Sequence, residues 1–191
     1  FALLLALAVA LAQTVLPLWG ARTGNAALME TGQTAALAQF GLVLLSFLSL
    51  MWCYVTSDFS VANAALTPHT TRALVYKIAG VWGNHEGSML LWVLMLAAFG
   101  AAVAVFGRNL PASLKATVLS VQASIALAFC IFMAATSNPF LRLNPVPTEG
   151  QGLNPVLQDP ALAFHPPFLY AGYVGFSIAF SFAVAALLEG R

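Results

Sequence analysis

Charged side chains are scarce in this sequence. Of its 191 residues, 7% are Asp, Glu, Lys or Arg, whereas 61% are hydrophobic. A soluble domain carries about 25% charged residues, and a chain of this length has to expose a large surface. The sequence therefore predicts an integral membrane protein. Its formal net charge of +1 also argues against a nucleic-acid partner, because it has no basic stripe to neutralise phosphates.

Cysteine is almost as rare, since the chain has only two. Cys53 and Cys130 each lie within an apolar run, and there is no CxxC spacing of the kind that binds metals or forms redox disulfides. We expect both residues to be buried as small hydrophobic side chains, and we expect neither a disulfide nor a metal pair.

Long apolar runs are the most prominent feature of the sequence. Five of them reach or approach the roughly 20 residues that a membrane-spanning helix needs. The first is not read as a signal peptide, because it lacks a basic n-region and a small-residue cleavage site. Continuous apolar runs also argue against the alternating strands of a membrane β-barrel. The sequence predicts an all-α, polytopic membrane helix bundle with about five transmembrane helices, at residues 1–19, 35–55, 88–106, 116–135 and 168–188.

The loops between these runs predict the orientation. Two loops, 20–34 and 107–115, are short and flanked by basic residues, and two, 56–87 and 137–167, are long. Four basic residues lie on the side of the short loops and three on the side of the long ones. Because cytoplasmic loops carry an excess of Lys and Arg, we expect the short loops in the cytoplasm. The start of the chain and both long loops are then expected on the outer, periplasm-like face.

The two long loops hold most of the polar residues. In the first, residues 72–81 are apolar enough to form a short interfacial helix, and His69 is expected to be solvated. Trp82 and Trp92 suit the aromatic belt of a membrane interface. The second loop contains most of the ten prolines, so it is expected to be irregular but stiff. Such a loop suits a side chain that has to be held at a fixed position above the bilayer.

His165 is the sharpest candidate for a functional side chain. It stands in AFHPPFLYAGYVGFS, directly before Pro166 and Pro167. The residue before a proline is pushed away from helical geometry, whereas prolines are tolerated in a helix's first turn. We therefore expect His165 at or near the N-cap of the last span, at the membrane surface, with Tyr170 in the interfacial belt. It is either a metal or haem ligand, since imidazole is the usual axial donor, or an interfacial histidine that bonds a loop carbonyl.

A second polar stretch, VWGNHEGSMLLW at residues 81–92, opens the third span. Glu86 has a structural explanation, because a carboxylate is favoured near a helix N-terminus. If the helix extends back, Trp82 and Glu86 share one face, and His85 points elsewhere, beside Trp92. Ionisable groups at membrane depth usually mark function, but at the bilayer edge they cost little. Packing and function both stay open for this stretch.

Three stretches resemble the CcmF family of cytochrome c maturation proteins. They are YKIAGVWGNHEGSMLLWVL, TSNPFLRLNPVPTEGQGLNPVLQDPALAFHPPFLYAGYVGFSIAFSFAVAALLEG and, in the second span, QFGLVLLSFLSLMWCYVTSDFSV. The family belongs to a wider group of haem-handling membrane proteins that also contains CcmC, CcsA, CycK and NrfE. The resemblance covers nearly the whole chain.

The resemblance implies the membrane subunit of a cytochrome c haem lyase (holocytochrome c synthetase) in the bacterial inner membrane. In such a system haem b arrives on a CcmE-type periplasmic chaperone, and a CcmH-type protein presents the reduced apocytochrome c. The two thiols of its CxxCH motif add across the haem vinyl groups and form thioethers. We expect residues 1–87 to hold two spans and a periplasmic loop, and residues 88–191 to begin the haem-handling domain.

The resemblance also assigns site residues. HPPFLYAGYVG matches the site of the first of the family's two periplasmic histidines, so His165 is expected to be an axial ligand of the haem iron. Further candidates for the haem site are Trp82, His85, Glu86, Pro166 and Tyr170. The family's tryptophan-rich segment, its second periplasmic histidine and the two membrane histidines of its structural b-type haem are not in the sequence. We expect a fragment that is inactive by itself.

Other classes of membrane protein predict different residues. An NrfE-type paralogue for specialised haem attachment stays open as an alternative. A multi-pass haem or small-molecule transporter predicts charged or broken helices at mid-bilayer. A proton-pumping respiratory subunit needs intramembrane Glu, Lys or His relays. The complete spans have no ionisable residue near their centres, which counts against both of these classes.

Overall fold

A computed structural model describes residues 1–66, 70–152 and 158–190. Within these ranges five helices are long and apolar enough to cross a membrane, so the predicted all-α bundle is confirmed. They are α1 (Ala2–Thr23), α2 (Ala26–Val55), α5 (His85–Phe106), α6 (Ala112–Thr136) and α7 (Pro160–Glu189). Between α2 and α5 lie the short helices α3 (Ala62–Ala65) and α4 (Leu74–Gly80), the second of them within the predicted interfacial segment. The expectation for His69 falls outside the described residues.

The five long helices run antiparallel in chain order, so their connections lie at two ends of the bundle. One end, here called the loop end, carries the described residues 56–66, 70–84, 137–152 and 158–159. The other end, the turn end, carries residues 24–25 and 107–111. α1 packs along α2 and α6, α2 also packs along α5, and α7 packs on α5 and α6. The two loops that hold the polar motifs therefore lie together.

The prediction of a loop over residues 20–34 is wrong. α1 and α2 are separated only by Gly24, which adopts a φ of +69°, and Asn25, whose side chain accepts a hydrogen bond from the Leu28 N–H at 3.2 Å. These are a left-handed helix end followed by an N-cap. Gly20 permits the tight return, because a Cβ there would lie 2.7 Å from the Leu28 Cβ. The lower hydropathy of this segment therefore does not mark the end of a helix.

The hydrophobic core contains side chains from both predicted parts of the chain, residues 1–87 and 88–191. One buried cluster contains Leu50 and Tyr54 of α2, Leu90 of α5 and Cys130 of α6, all of them fully buried. Cys53 is half-buried beside it, and both cysteines are free. Cys130 is buried, as expected, whereas Cys53 is only half-buried.

A buried amide fastens α7 to the bundle near the middle of α6. The Gln122 Nε2 donates to the Leu96 carbonyl of α5 at 3.1 Å and to the Ser177 hydroxyl of α7 at 3.0 Å. The Ser181 hydroxyl donates to the Gln122 Oε1 at 2.9 Å. Polar side chains between membrane helices stabilise packing in this way, because lipid offers no alternative partner. The position of α7 is thus set at mid-span by hydrogen bonds.

Candidate functional site

The two long loops are joined into one layer at the loop end. Val61 and Arg142 form an isolated antiparallel β-bridge. Further along, the Thr70 N–H and hydroxyl donate to the two carboxylate oxygens of Glu149 at 3.0 and 2.7 Å. Residues 137–152, the part of the second loop that the structure describes before residue 158, are irregular apart from this bridge, as the prolines predict, and these contacts tie them to the first loop. We call this arrangement the loop layer.

Asp58 links the two loops electrostatically. Its carboxylate accepts hydrogen bonds from the Ser60 hydroxyl at 2.5 Å and the Ser60 N–H at 3.1 Å, and the Arg142 guanidinium lies 3.6 Å away. The hydrogen bonds from Ser60, together with the charge of Arg142, hold the pKa of Asp58 below its usual value, although partial burial acts in the opposite direction. The contacts of the loop layer therefore favour the ionised carboxylate.

Acid is expected to loosen the loop layer. Because the pKa of Asp58 is lower in the folded chain than its ordinary value of 3.8, its contribution to stability is complete above that value and is lost as the pH falls through the lowered one. Protection of the amides of residues 58–62 from hydrogen exchange, corrected for intrinsic rates, should be weaker at about pH 3 than at about pH 6. Asp58→Asn should remove the difference. Equal protection at both pH values in the wild type would refute this role.

Four side chains beneath the loop layer form a hydrogen-bonded network, here called the polar knot: Tyr54, Asn63, Asn84 and Glu86. The Asn84 Nδ2 donates to the Tyr54 hydroxyl at 2.6 Å. The Asn63 Nδ2 donates to the Asn84 Oδ1 at 2.8 Å and to the Glu86 Oε2 at 3.3 Å. Tyr54 and Asn63 are buried, so these bonds satisfy groups that water cannot reach. The knot joins α2, α3 and the start of α5.

The first turn of α5 is fixed by a cap and a close contact. The Asn84 Oδ1 accepts a hydrogen bond from the Gly87 N–H at 2.9 Å, which caps the helix. A Cβ at Gly87 would lie 1.6 Å from the Val81 carbonyl oxygen, so only glycine fits. The helix therefore begins at His85 and not at residue 88, where the apolar run starts.

Aromatic side chains connect this region to α7. The Trp82 Nε1 donates to the Ala163 carbonyl at 2.8 Å. The Trp92 ring lies 5.6 Å from the Tyr170 ring and 5.8 Å from the Phe129 ring, centroid to centroid. The structure thus brings two of the candidates, Trp82 and Tyr170, to the contact between α7 and the rest of the loop end.

His165 lies inside α7, and the prediction that it stands at or near the N-cap is wrong. The Asp159 Oδ1 caps α7 by accepting hydrogen bonds from two N–H groups of the first turn at 2.8 and 3.2 Å, and Pro160 is the first helical residue. His165 is in the second turn, and Pro166 and Pro167 lie within the helix. The capping aspartate with proline directly after it is a stronger start signal than a histidine before two prolines.

The His165 side chain is exposed on the face of α7 that is turned away from the other described helices. At 3.6 residues per turn, it points about 200° away from Ala163. Phe168 and Phe176, with 77% and 76% of their surface exposed, share the outward side. The buried residues of α7 lie on the opposite side: Ala163, Val174, Ser181 and Ala185. The second turn of α7 therefore presents an imidazole beside exposed aromatic rings.

His85 is also exposed, but it faces α6. Its Nε2 lies 3.1 Å from the Ser137 hydroxyl, and its ring is edge-on to Phe132 at 6.1 Å between centroids. Trp92, about two turns further along α5, contacts the same side of α6. His85 therefore points away from Glu86, which bonds Asn63 in the polar knot.

The donor set suits a haem iron better than a bare metal ion. Among the described residues, no three His, Cys, Asp or Glu side chains lie close enough together to hold a metal ion. A porphyrin supplies four of the ligands to its iron and takes only axial donors from protein, for which a single exposed imidazole with apolar neighbours is suited. His165 meets this requirement.

Comparison with known proteins identifies a family. Residues 82–191 match the family described as Cytochrome C assembly protein. Over 191 residues the chain is 62% identical to the cytochrome c-type biogenesis protein CycK of Rhizobium meliloti (strain 1021), covering all of this chain and 28% of CycK. It is 43% identical over 172 residues to the probable cytochrome c-type biogenesis protein NrfE of Escherichia coli (strain K12), covering 90% of this chain and 31% of NrfE.

A solved structure shares the fold. The chain superposes on a structure titled Cytochrome c Heme Lyase CcmF with a TM-score of 0.84 at 27% sequence identity. The match covers 100% of this chain and 30% of the CcmF chain. The chain thus spans less than a third of the length of the proteins it matches.

Proposed function

Since the chain belongs to the cytochrome c assembly protein family, we propose that it forms part of the membrane subunit of a cytochrome c haem lyase. In this proposal haem b is a substrate in transit, held at the loop end on the outer face of the bacterial inner membrane. The observation that supports it best is the exposed imidazole of His165 in the second turn of α7. We propose this imidazole as an axial ligand of the haem iron.

The proposed reaction depends more on how the haem and the thiols are oriented than on proton transfer by the protein. Each thiol of the apocytochrome CxxCH motif adds across a haem vinyl group: sulfur bonds to one carbon and hydrogen to the other, so no external oxidant is consumed. An axial imidazole would fix the haem plane and tune the iron potential. Holding two reactants in register supplies much of the rate of such a step.

The other candidates then have supporting roles. Pro166 fixes the backbone φ directly after His165. Trp82 and Tyr170 hold α7 against the bundle. Glu86 contributes to the polar knot, which fixes the start of α5 beside the proposed haem site. Exposed aromatic surface near His165 is available to contact the porphyrin.

The remaining parts of the reaction come from elsewhere. We propose a CcmE-type chaperone as haem donor, a CcmH-type protein as presenter, and apocytochrome c as acceptor. The second axial ligand and the ligands of the structural b-type haem are expected in the part of the relatives that this chain does not span. The 191 residues alone are expected neither to bind haem stably nor to be active.

An NrfE-type paralogue is the second candidate. Relatives from one strain separate the two candidates by a small margin: the chain is 46% identical over 190 residues to CcmF and 43% identical over 172 residues to NrfE of Escherichia coli (strain K12). To test this, the full-length gene product is expressed in a bacterium that lacks its own CcmF. Covalent haem on a cytochrome with CxxCH motifs, seen by haem staining, is the expected result. A correctly inserted protein that leaves this cytochrome without haem would rule out the general lyase.

His85→Ala is expected to lower the yield of mature cytochrome several-fold, because it removes the contact between the start of α5 and Ser137. Ser137→Ala is the matched control, since it removes the same hydrogen bond and keeps the imidazole. Equal losses in the two variants mean that His85 packs the loop end, whereas a larger loss in His85→Ala means that the imidazole contacts haem. Wild-type yield in both would exclude either role.

A further inference from the structure

Two prolines inside α7 deprive the helix of hydrogen-bond donors. Proline has no N–H, so Pro166 and Pro167 cannot bond the carbonyls of Leu162 and Ala163, four residues before them. Ala163 is only 3% exposed, so water cannot readily replace its missing donor. The Trp82 Nε1 donates to this carbonyl at 2.8 Å. An indole from another segment thus takes the place of a helix N–H.

The turn that carries Trp82 is itself held firmly. The Ser88 hydroxyl donates to the Trp82 carbonyl at 2.7 Å, and the Trp82 N–H donates to the Ala79 carbonyl at 3.3 Å. The half-buried Trp82 ring packs against the core cluster of α2 and α5. The preceding residue, Val81, lies against Gly87. The indole therefore offers its N–H from a fixed position.

His165 lies just beyond the residue that Trp82 holds. It is two residues from Ala163, and the next contact that braces α7 is that of Tyr170 with Trp92. Between these two points the helix buries no residue fully, and His165 itself is exposed. His165 belongs to these first turns of α7. If they rotated about the helix axis, the imidazole would rotate with them and point in another direction.

We propose that Trp82 is a positioning residue for His165. By bonding the carbonyl that Pro167 leaves open, its indole fixes the rotation of the first two turns of α7 and so the direction of the imidazole. The paired prolines and the tryptophan act together. The prolines remove an N–H donor from within the helix, and the Trp82 indole N–H replaces it from the firmly held turn before α5. This inference rests on the proposed role of His165 as a haem ligand.

Trp82→Phe tests the inference in the full-length protein, because it keeps an aromatic ring and removes the N–H. Trp52→Phe is the matched control, since Trp52 is at the loop end of α2 and is 68% exposed. Trp82→Phe is expected to speed deuterium exchange of the amides of residues 163–165. With haem b added, it should lower the fraction of low-spin haem that depends on His165 about tenfold, as loss of a ligand's supporting contact does. Trp52→Phe should change neither quantity.

Pro167→Ala supplies the decisive cross-check. It restores an N–H four residues after Ala163, so the carbonyl regains a partner within the helix. In this background Trp82→Phe should have little effect on amide exchange or on the haem spectrum. The double variant also keeps the test valid if Trp82→Phe alone does not fold. An equally large effect of Trp82→Phe with and without Pro167 would overturn the inference.

Two other outcomes separate the inference from the proposed function. If Trp82→Phe leaves the exchange of residues 163–165 unchanged, or changes it without altering the haem spectrum, Trp82 does not position the ligand and the inference fails. If His165→Ala retains the full low-spin spectrum, the haem-ligand role fails instead, while the effect of Trp82 on amide exchange still stands.

Discussion

His165→Ala is expected to lower covalent haem attachment by the full-length protein at least about tenfold, the range seen when metal sites lose a supporting group. The imidazole is an exposed donor in the second turn of α7, and alanine offers the iron nothing in its place. The measurement is the yield of haem-stained cytochrome c, normalised to the amount of the variant in the membrane. The loss should occur without loss of the folded protein, because an exposed side chain carries little of the packing.

The control for this variant lies on the same helix but far from His165. Phe180 is 56% exposed, has no donor atom and lies about four turns further along α7, so Phe180→Ala should retain most of the activity. A further check uses His165→Gly, whose purified protein should regain part of its low-spin haem spectrum when free imidazole is added. Normal cytochrome yield in His165→Ala would mean that another residue ligates the incoming haem.

Gly87→Ala is expected to be the most destabilising single substitution at the loop end. The added Cβ would lie 1.6 Å from the Val81 carbonyl oxygen and 2.8 Å from the carbonyl carbon, and these are backbone atoms that cannot rotate away. Overpacking commonly costs about 1–3 kcal/mol, and a clash this close should reach or exceed the upper figure. The free energy of unfolding in mild detergent, or the unfolding temperature, measures the effect.

Gly41→Ala provides the comparison. Gly41 is also inside a long helix, but an added Cβ would meet nothing within 4 Å. Alanine is favoured over glycine in a helix by about 0.5–1 kcal/mol, so this variant should be as stable as the wild type or slightly more. If Gly87→Ala were as stable as Gly41→Ala, the close contact of α5 with the preceding turn would not exist in the protein.

The number and order of the spans could be predicted from the sequence, because a bilayer demands about 20 apolar residues whatever the fold. The helix ends could not, since they are set by caps outside the apolar runs. Asp159 starts α7 well before its apolar stretch, and Asn25 starts α2 directly after α1 ends. Both residue types are common N-caps, so a search for caps beyond the hydropathy boundary would have found them.

The candidate site was only partly accessible from the sequence. The unusual stretch around Glu86 was recognisable, but its partners Tyr54 and Asn63 were not, because they lie 30 and 21 residues before Asn84, in α2 and α3. The sequence marks Asn63 in one way only: it is a polar residue in an apolar segment. The bond from Trp82 to Ala163 spans 81 residues, and only the paired prolines hinted that a carbonyl needed a donor. Such contacts arise from packing and not from local pattern.

Labelling of single cysteines in intact spheroplasts tests the central claim most directly: that the loop end, with His165, faces the periplasm. In a full-length protein in which Cys53, Cys130 and every other cysteine are replaced by alanine, Val146→Cys reports on the loop layer and Arg108→Cys on the turn end; both positions are exposed. A membrane-impermeant maleimide is expected to label Val146→Cys in spheroplasts and Arg108→Cys only after lysis. The reverse pattern would place the imidazole on the cytoplasmic side, where no apocytochrome awaits haem, and the account would be wrong.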